Sequence, residues 1–246
     1  MSDRKKAIVT GASIGMGRGI ALVLAEEGYD IAFSYYGDDE QSLKYVEKTV
    51  SMLKEKGAES WQFSADLTKK GAPKEFFDKA AAALGGLDLL VNSAGVNMPL
   101  PLQELTEENI DYLFALDQKA YVMLMHYAAC YMIDNGIKGC IVNVSSSRGD
   151  RAYPNAGIYC GIKAGLNRMI EAFALDVAGY GIRINNVSRV RPGSARRRSC
   201  STSKKEGLQT TSGMRRTSSI LKRSNPTSGT SSDRRSLSED AERPKT

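Results

Sequence analysis

The 246-residue chain contains one tryptophan, one histidine and four cysteines. The cysteines, Cys130, Cys140, Cys160 and Cys200, stand far apart and form no CxxC pair. With His126 as the sole histidine, no zinc ribbon or finger can be assembled, and no disulfide framework is legible. That usage points to a reducing, cytoplasmic setting. His126 has no ligand partners in sequence and is given no chemistry. No apolar run approaches the length of a membrane-crossing helix, so no membrane role is expected. The opening stretch MSDRKKAIVTGAS carries charge and only a stub of apolar residues, unlike a secretory signal.

Aromatic residues are missing altogether from residues 189–246, which hold 13 Ser and 7 Thr but only seven of Val, Ile, Leu, Met and Cys. A segment so poor in apolar surface cannot offset its ordering entropy, and disorder is expected there. It also holds 15 of the chain's 34 Lys and Arg but only 5 of its 28 Asp and Glu, leaving 19 basic and 23 acidic residues in 1–188. The overall charge of +6 therefore hides a mildly acidic body, 1–188, joined to a strongly basic tail, 189–246. The grammar changes abruptly at about 187–191, in mid-element, which suggests a frameshifted coding region more than a natural linker. Arg196-Arg197-Arg198-Ser199, Arg215-Arg216-Thr217-Ser218 and Arg234-Arg235-Ser236 have the look of kinase sites or a weak phosphate-backbone binder. Such strings arise readily in Ser/Arg-rich sequence, and nucleic-acid binding is not expected.

The body alternates short apolar strands with longer amphipathic stretches. KKAIVTG, DIAFS, SWQFSAD, LDLLVNSAG, GCIVNVSS and IRINNV each read as a buried strand. Between them lie helical patterns over 15–27, 40–56, 74–84, 107–134 and 159–178. Apolar strands alternating with helices predict an α/β fold with a doubly wound parallel sheet and a ligand site off the carboxyl ends of its strands.

The first strand runs into Thr10-Gly11-Ala12-Ser13-Ile14-Gly15-Met16-Gly17, then an apolar helix. Glycines at this spacing allow a tight turn, backbone approach to a pyrophosphate and close helix–strand packing, with the helix N-terminus facing the phosphates. The second strand ends Phe33-Ser34-Tyr35-Tyr36-Gly37, with no carboxylate before Asp38. An acid at that place would favour NAD and repel a 2′-phosphate, so its absence leans towards NADP over NAD.

Tyr159 and Lys163 are spaced i and i+4, on one face of a helix. A phenol is a poor base at neutral pH unless a nearby cation favours its phenolate. Ser146 lies thirteen residues upstream in a serine cluster at the end of the fifth strand, where its hydroxyl could meet a substrate carbonyl. Met123, Met125, Tyr127, Tyr131 and Met132 read as core or subunit contact.

Together these residues resemble the short-chain dehydrogenase/reductase family. Its TGxxxGxG motif is met by Thr10, Gly11, Gly15 and Gly17, and its NNAG motif by Asn92-Ser93-Ala94-Gly95 with one substitution. Asp66 matches the acid after the third strand, Tyr159 and Lys163 the YxxxK pair, and Ser146 the serine. The resemblance spans about 5–187 and implies reversible hydride transfer between a nicotinamide and a small carbonyl or alcohol. It implies Tyr159 as acid/base, Ser146 as carbonyl orienter, and Lys163 as ribose ligand and phenolate stabiliser. Cofactor contacts are implied from Thr10, Gly11, Ser13, Ile14, Gly15, Gly17, Tyr35, Asp66, Leu67, Asn92, Ala94, Gly95, Tyr159 and Lys163. Homo-oligomers through the two longest helices are implied as well.

Two departures stand out. Asp117 occupies the place of an asparagine that in the family holds a water relaying protons to the lysine, and a carboxylate there should oppose a phenolate on Tyr159. After IRINNV the family's substrate-covering segment and last strand have no counterpart, so the sheet is expected to lack its final strand. The rival reading is a non-catalytic nucleotide-binding or interaction protein, and a third is a nucleic-acid binder driven by the tail.

Overall fold

The computed structural model describes residues 4–189. The expectations for the tail from 190 onward, including its disorder, Cys200 and the kinase-like strings, lie outside the described residues. Six strands form one parallel sheet: β1 (Lys5–Val9), β2 (Tyr29–Tyr35), β3 (Ser60–Ser64), β4 (Leu89–Asn92), β5 (Cys140–Ser146) and β6 (Arg183–Arg189). Their order is β3-β2-β1-β4-β5-β6, and every pairing is parallel. The chain thus winds outward from β1 in one direction and, after β4, in the other. The crevice between β1 and β4 is the switch point at which such sheets bind ligands.

The central strands are mostly apolar because helices cover both faces. Helices α1 (Gly15–Glu26) and α2 (Glu40–Glu55) pack on one face through Ala21, Ala25, Val46 and Leu53, against Val9, Phe33 and Val91. On the other face lie α3 (Ala72–Leu84), α4 (Glu107–Phe114), α5 (Ala120–Asp134) and α6 (Gly157–Ala178), where Phe76, Leu124, Met132 and Leu166 meet Ile8, Leu90 and Ile141. Met125 and Met132 are core residues, and Tyr127 and Tyr131 pack on Phe77.

The helix anticipated over 107–134 is not uniform. A π-helical segment, Ala115–Lys119, separates α4 from α5. One extra residue per turn rotates the side chains that follow, and such insertions are frequent at functional sites. The last strand also outruns the apparent break in sequence. Arg189, counted with the tail above, is the final residue of β6 and stands in register with Ser146. Among the described residues β6 is the sheet edge, and Val187 on it is 57% exposed.

At the opposite end of the sheet, buried Asp30 receives Arg4 at 3.0 Å, Lys6 at 2.7 Å and the Glu59 backbone N–H at 3.0 Å. The carboxylate ties the N-terminus to β2 and β3. Its two cations are about a quarter exposed (24% and 23%), so part of their charge is met by water. Asp30→Ala should lower the unfolding free energy by about 2–3 kcal/mol, below the range for a wholly buried pair. Urea unfolding monitored by circular dichroism measures it.

Candidate active site

The strand ends at the switch point are tied together before any ligand is considered. Buried Thr10 accepts from the backbone N–H groups of both Ser93 and Ala94, each at 2.9 Å, through its hydroxyl. Ser34, inside β2, takes the Gly11 N–H on its hydroxyl at 3.1 Å and the Ala12 N–H on its carbonyl at 3.1 Å. The glycine turn is thereby fastened to β4 and to β2. A Cβ on Gly11 would come within 2.9 Å of the Ala94 backbone, and one on Gly17 within 2.2 Å of the Gly11 carbonyl oxygen. Nothing larger than glycine fits at either place without separating loop, strand and helix.

Ile14 precedes α1 with no side chain capping the helix, and no acid lies in its first turn. The free N–H groups and the positive end of the helix dipole are left for an anion. Ser13 is drawn towards α2, its carbonyl accepting from Arg18 and from Thr49. Tyr35 ends β2; Asp38 and Asp39 follow, the first accepting from Ser64 at 2.9 Å and the second capping α2. Asp66 closes a turn after β3 with Thr68, and Leu67 beside it is buried.

Deeper in the crevice, Asn92 bridges to Asn143 at 2.9 Å, but its own Oδ1 and the Ser93 hydroxyl are buried without a partner among the described residues. Orphaned polar atoms, an uncapped helix and two glycines with no room for a side chain suit a dinucleotide lying across this crevice.

Ser146, Tyr159, Lys163 and Asp117 line one cleft of about 440 Å³ at the carboxyl ends of β4, β5 and β6. Gly95, Ser93, Arg148, Tyr153 and Arg189 share its wall. Ser146 caps a short 3₁₀ turn, Ser147–Gly149, accepting the Arg148 N–H at 3.2 Å. Asn167 on α6 accepts from Ser145 at 2.6 Å and from Asn186 at 3.2 Å, which holds the ends of β5 and β6 against the helix.

The π-helical segment turns Asp117 into this cleft, wholly buried, 3.0 Å from the Lys163 ammonium. One carboxylate oxygen is thus committed to the cation, and the other accepts the Val96 N–H at 3.0 Å. Gly95 exists as glycine for this reason, since a Cβ there would meet Asp117 at 2.5 Å. Lys163 is itself 2% exposed, its ammonium 4.5 Å from the centre of the Tyr121 ring and 5.5 Å from that of Tyr159.

Burial raises the Asp117 carboxyl above its usual range, with Lys163 and the Val96 N–H opposing. Burial likewise lowers Lys163, and Asp117 opposes. Tyr159 is held above an ordinary phenol, first by burial and then by the Asp117 charge. Arg148, a hydrogen bond from Ser146 and Arg189 pull it back. The opposition expected from Asp117 is thus present, and the cations that lower the phenol are Arg148 and Arg189, while Lys163 faces Asp117.

Four residues that line the cleft or brace the strand ends around it went unread in the sequence. Ser34 was one polar residue in an apolar strand, and Tyr121 one aromatic in a core helix. Asn167 had no motif. Arg148 passed for part of a turn, although a cation two residues after the candidate serine was a usable signal.

The switch point, the glycine turn and the uncapped α1 define a doubly wound dinucleotide-binding protein. The chain belongs to the short chain dehydrogenase family, whose profile matches residues 5–196. It is thereby an NAD(P)-dependent oxidoreductase. A 3-oxoacyl-[acyl-carrier-protein] reductase of Staphylococcus aureus is 34% identical over 188 residues, 76% of this chain and 74% of the relative. A diacetyl reductase [(S)-acetoin forming] of Staphylococcus epidermidis is 33% identical over 181 residues, 74% of this chain and 68% of the relative. Among solved structures, acetoin dehydrogenase from Enterobacter cloacae superposes with a TM-score of 0.70 at 28% identity, covering 76% of this chain and 72% of that one. An NAD+-bound xylitol dehydrogenase gives 0.69 at 30% identity, with 75% and 69% covered.

Asp117→Asn keeps the shape beside Gly95 and can keep the bond from Val96 while removing the charge. With that charge gone the phenolate of Tyr159 is easier to form, so the limb of the rate–pH profile set by its deprotonation should move to lower pH. Initial rates of alcohol oxidation across pH 6–10, variant against parent, measure the shift.

Proposed function

We propose that this chain reduces a small carbonyl compound, and oxidises the corresponding alcohol, with Tyr159 as the acid/base. The observation that carries the reading is the meeting of Ser146, Tyr159 and Lys163 in one cleft beside the dinucleotide crevice. The nicotinamide supplies or accepts the hydride when bound. Ser146 donates to the substrate oxygen and orients it. Tyr159 gives that oxygen a proton from its own hydroxyl, or takes it back in the reverse direction. Lys163 is assigned to the nicotinamide ribose, in competition with Asp117, which positions the ammonium.

NADP is the proposed cofactor. The end of β2 offers Tyr35 and Tyr36, while Asp38 and Asp39 are engaged by Ser64 and by the start of α2. The proposed assembly is a homo-oligomer through α4–α5 and α6, whose outer faces leave Phe114, Met123, Met169 and Phe173 around an open apolar groove. Among the described residues Cys130, Cys140 and Cys160 are free, and the cytoplasmic, reducing setting is proposed from the wide spacing of the cysteines in sequence. The Staphylococcus relatives act on 3-oxoacyl groups and on diacetyl by their names, and neither is carried over as this chain's substrate.

Oxidation of NADPH and of NADH at 340 nm, with a panel of ketones, aldehydes and 3-oxoacyl thioesters, tests the reading. Tyr159→Phe should lower kcat about 10²- to 10⁴-fold with a far smaller effect on NADPH affinity. A parent protein that binds NADPH and reduces nothing in the panel would sink it. Gly17→Ala should weaken NADPH binding at least tenfold, since its Cβ would collide with the Gly11 carbonyl. Fluorescence titration of bound NADPH reads that loss.

A further inference from the structure

Arg148 stands over two aromatic rings of the cleft, its guanidinium carbon 5.2 Å from the centre of Tyr153 and 5.9 Å from that of Tyr159. Its backbone is fixed by the bond from its N–H to Ser146. Rings hold a guanidinium by its face and leave the N–H donors at its edge unused. Arg148 is half-buried, and no carboxylate pairs with it among the described residues. Arg189 enters the same cleft from the end of β6, opposite Ser146, and is likewise without an ion-pair partner there. Asp117 and Lys163 cancel one another. Two cations therefore remain beside the residues proposed to meet the reacting carbonyl.

We propose that the substrate is a short oxo acid or its hydroxy acid, its carboxylate held by Arg148 with Arg189 in support. A planar guanidinium fixed by rings is prepared for bidentate recognition of a carboxylate, and it places the charged end of the substrate a few ångströms from Ser146 and Tyr159. The claim goes beyond the oxidoreductase reading by naming the substrate class, and it rests on that reading only where turnover is measured. The reaction balances as hydride to the carbonyl carbon and a proton from Tyr159 to its oxygen; the carboxylate is unchanged.

The test pairs each acid with its neutral ester: pyruvate, acetoacetate and levulinate against their ethyl esters, with NADPH and with NADH, using the full chain. The parent should prefer at least one acid over its ester in kcat/KM. Arg148→Gln should reduce that acid-to-ester ratio about 10- to 100-fold. Arg148→Lys should fall between, and exposed Arg189→Gln, whose loss does not threaten the fold, should reduce the ratio less. Preference for every ester, or an acid-to-ester ratio that Arg148→Gln leaves unmoved because both rates fall together, overturns the proposal: the arginine would then serve Tyr159 alone. If none of the six compounds is reduced, the oxidoreductase reading is judged by the wider carbonyl panel above and the anion site by binding alone. Calorimetric binding then decides: acetoacetate bound more tightly than ethyl acetoacetate, and lost in Arg148→Gln or Arg189→Gln, upholds the anion site, and equal or absent binding overturns it.

Discussion

Asp117 and Lys163 are withdrawn from water 3.0 Å apart, and much of the cleft is shaped by the need to keep them together. Neither charge is tolerable there alone, because an unpaired ion in so dry a site would be neutralised or exposed. The π-helical segment swings the carboxylate inward, Gly95 leaves it room, the Val96 N–H holds its second oxygen, and the Tyr121 ring faces the ammonium. A buried pair is weak evidence for stability, since desolvation offsets most of the attraction. Its effect here is on geometry and on the electrostatics of its neighbour. An ammonium committed to a carboxylate does less for a phenolate, and the same carboxylate opposes that phenolate directly.

The dinucleotide crevice is built by a different device. Thr10 and Ser34 are small hydroxyl residues at the ends of, or within, strands that are otherwise apolar, and each fastens the glycine turn to a neighbouring strand. The turn must come close to β4 and to the start of α1, and the glycines follow from that approach rather than from flexibility. Among the described residues the orphaned Asn92 Oδ1, the orphaned Ser93 hydroxyl and the uncapped helix are then left for a bound ligand to satisfy on this side.

The sheet was legible because both its faces are covered: apolar runs ending in Gly, Ser or Asn have few other destinations. Every expected strand and helix of the body formed, to within two residues at most helix ends. The glycine turn, Ser146, Tyr159 and Lys163 were legible because motif residues recur at fixed offsets from those strand ends. What escaped depends on contacts between distant segments. One extra residue in a helical turn leaves no mark on composition, so the π-helical segment at Ala115–Lys119 could not be read. Ser34, Tyr121 and Asn167 act across the sheet or between helix and strand. Arg189 was assigned by composition to the tail, yet backbone pairing with β5 carries β6 through it.

The charges of the cleft also bear on the direction of the chemistry. Burial and Asp117 keep the proton on Tyr159, while Arg148 and Arg189 loosen it. With a carboxylate on Arg148, that cation's pull is largely cancelled and the influence of Asp117 prevails. In the role proposed for Tyr159, the phenol would then hold its proton until a carbonyl oxygen gains electron density and takes it. The reverse reaction needs the phenolate first, with two carboxylates opposing it. On the proposed reading an anionic substrate and the buried Asp117 act on the phenol in the same sense, both keeping its proton in place near neutral pH.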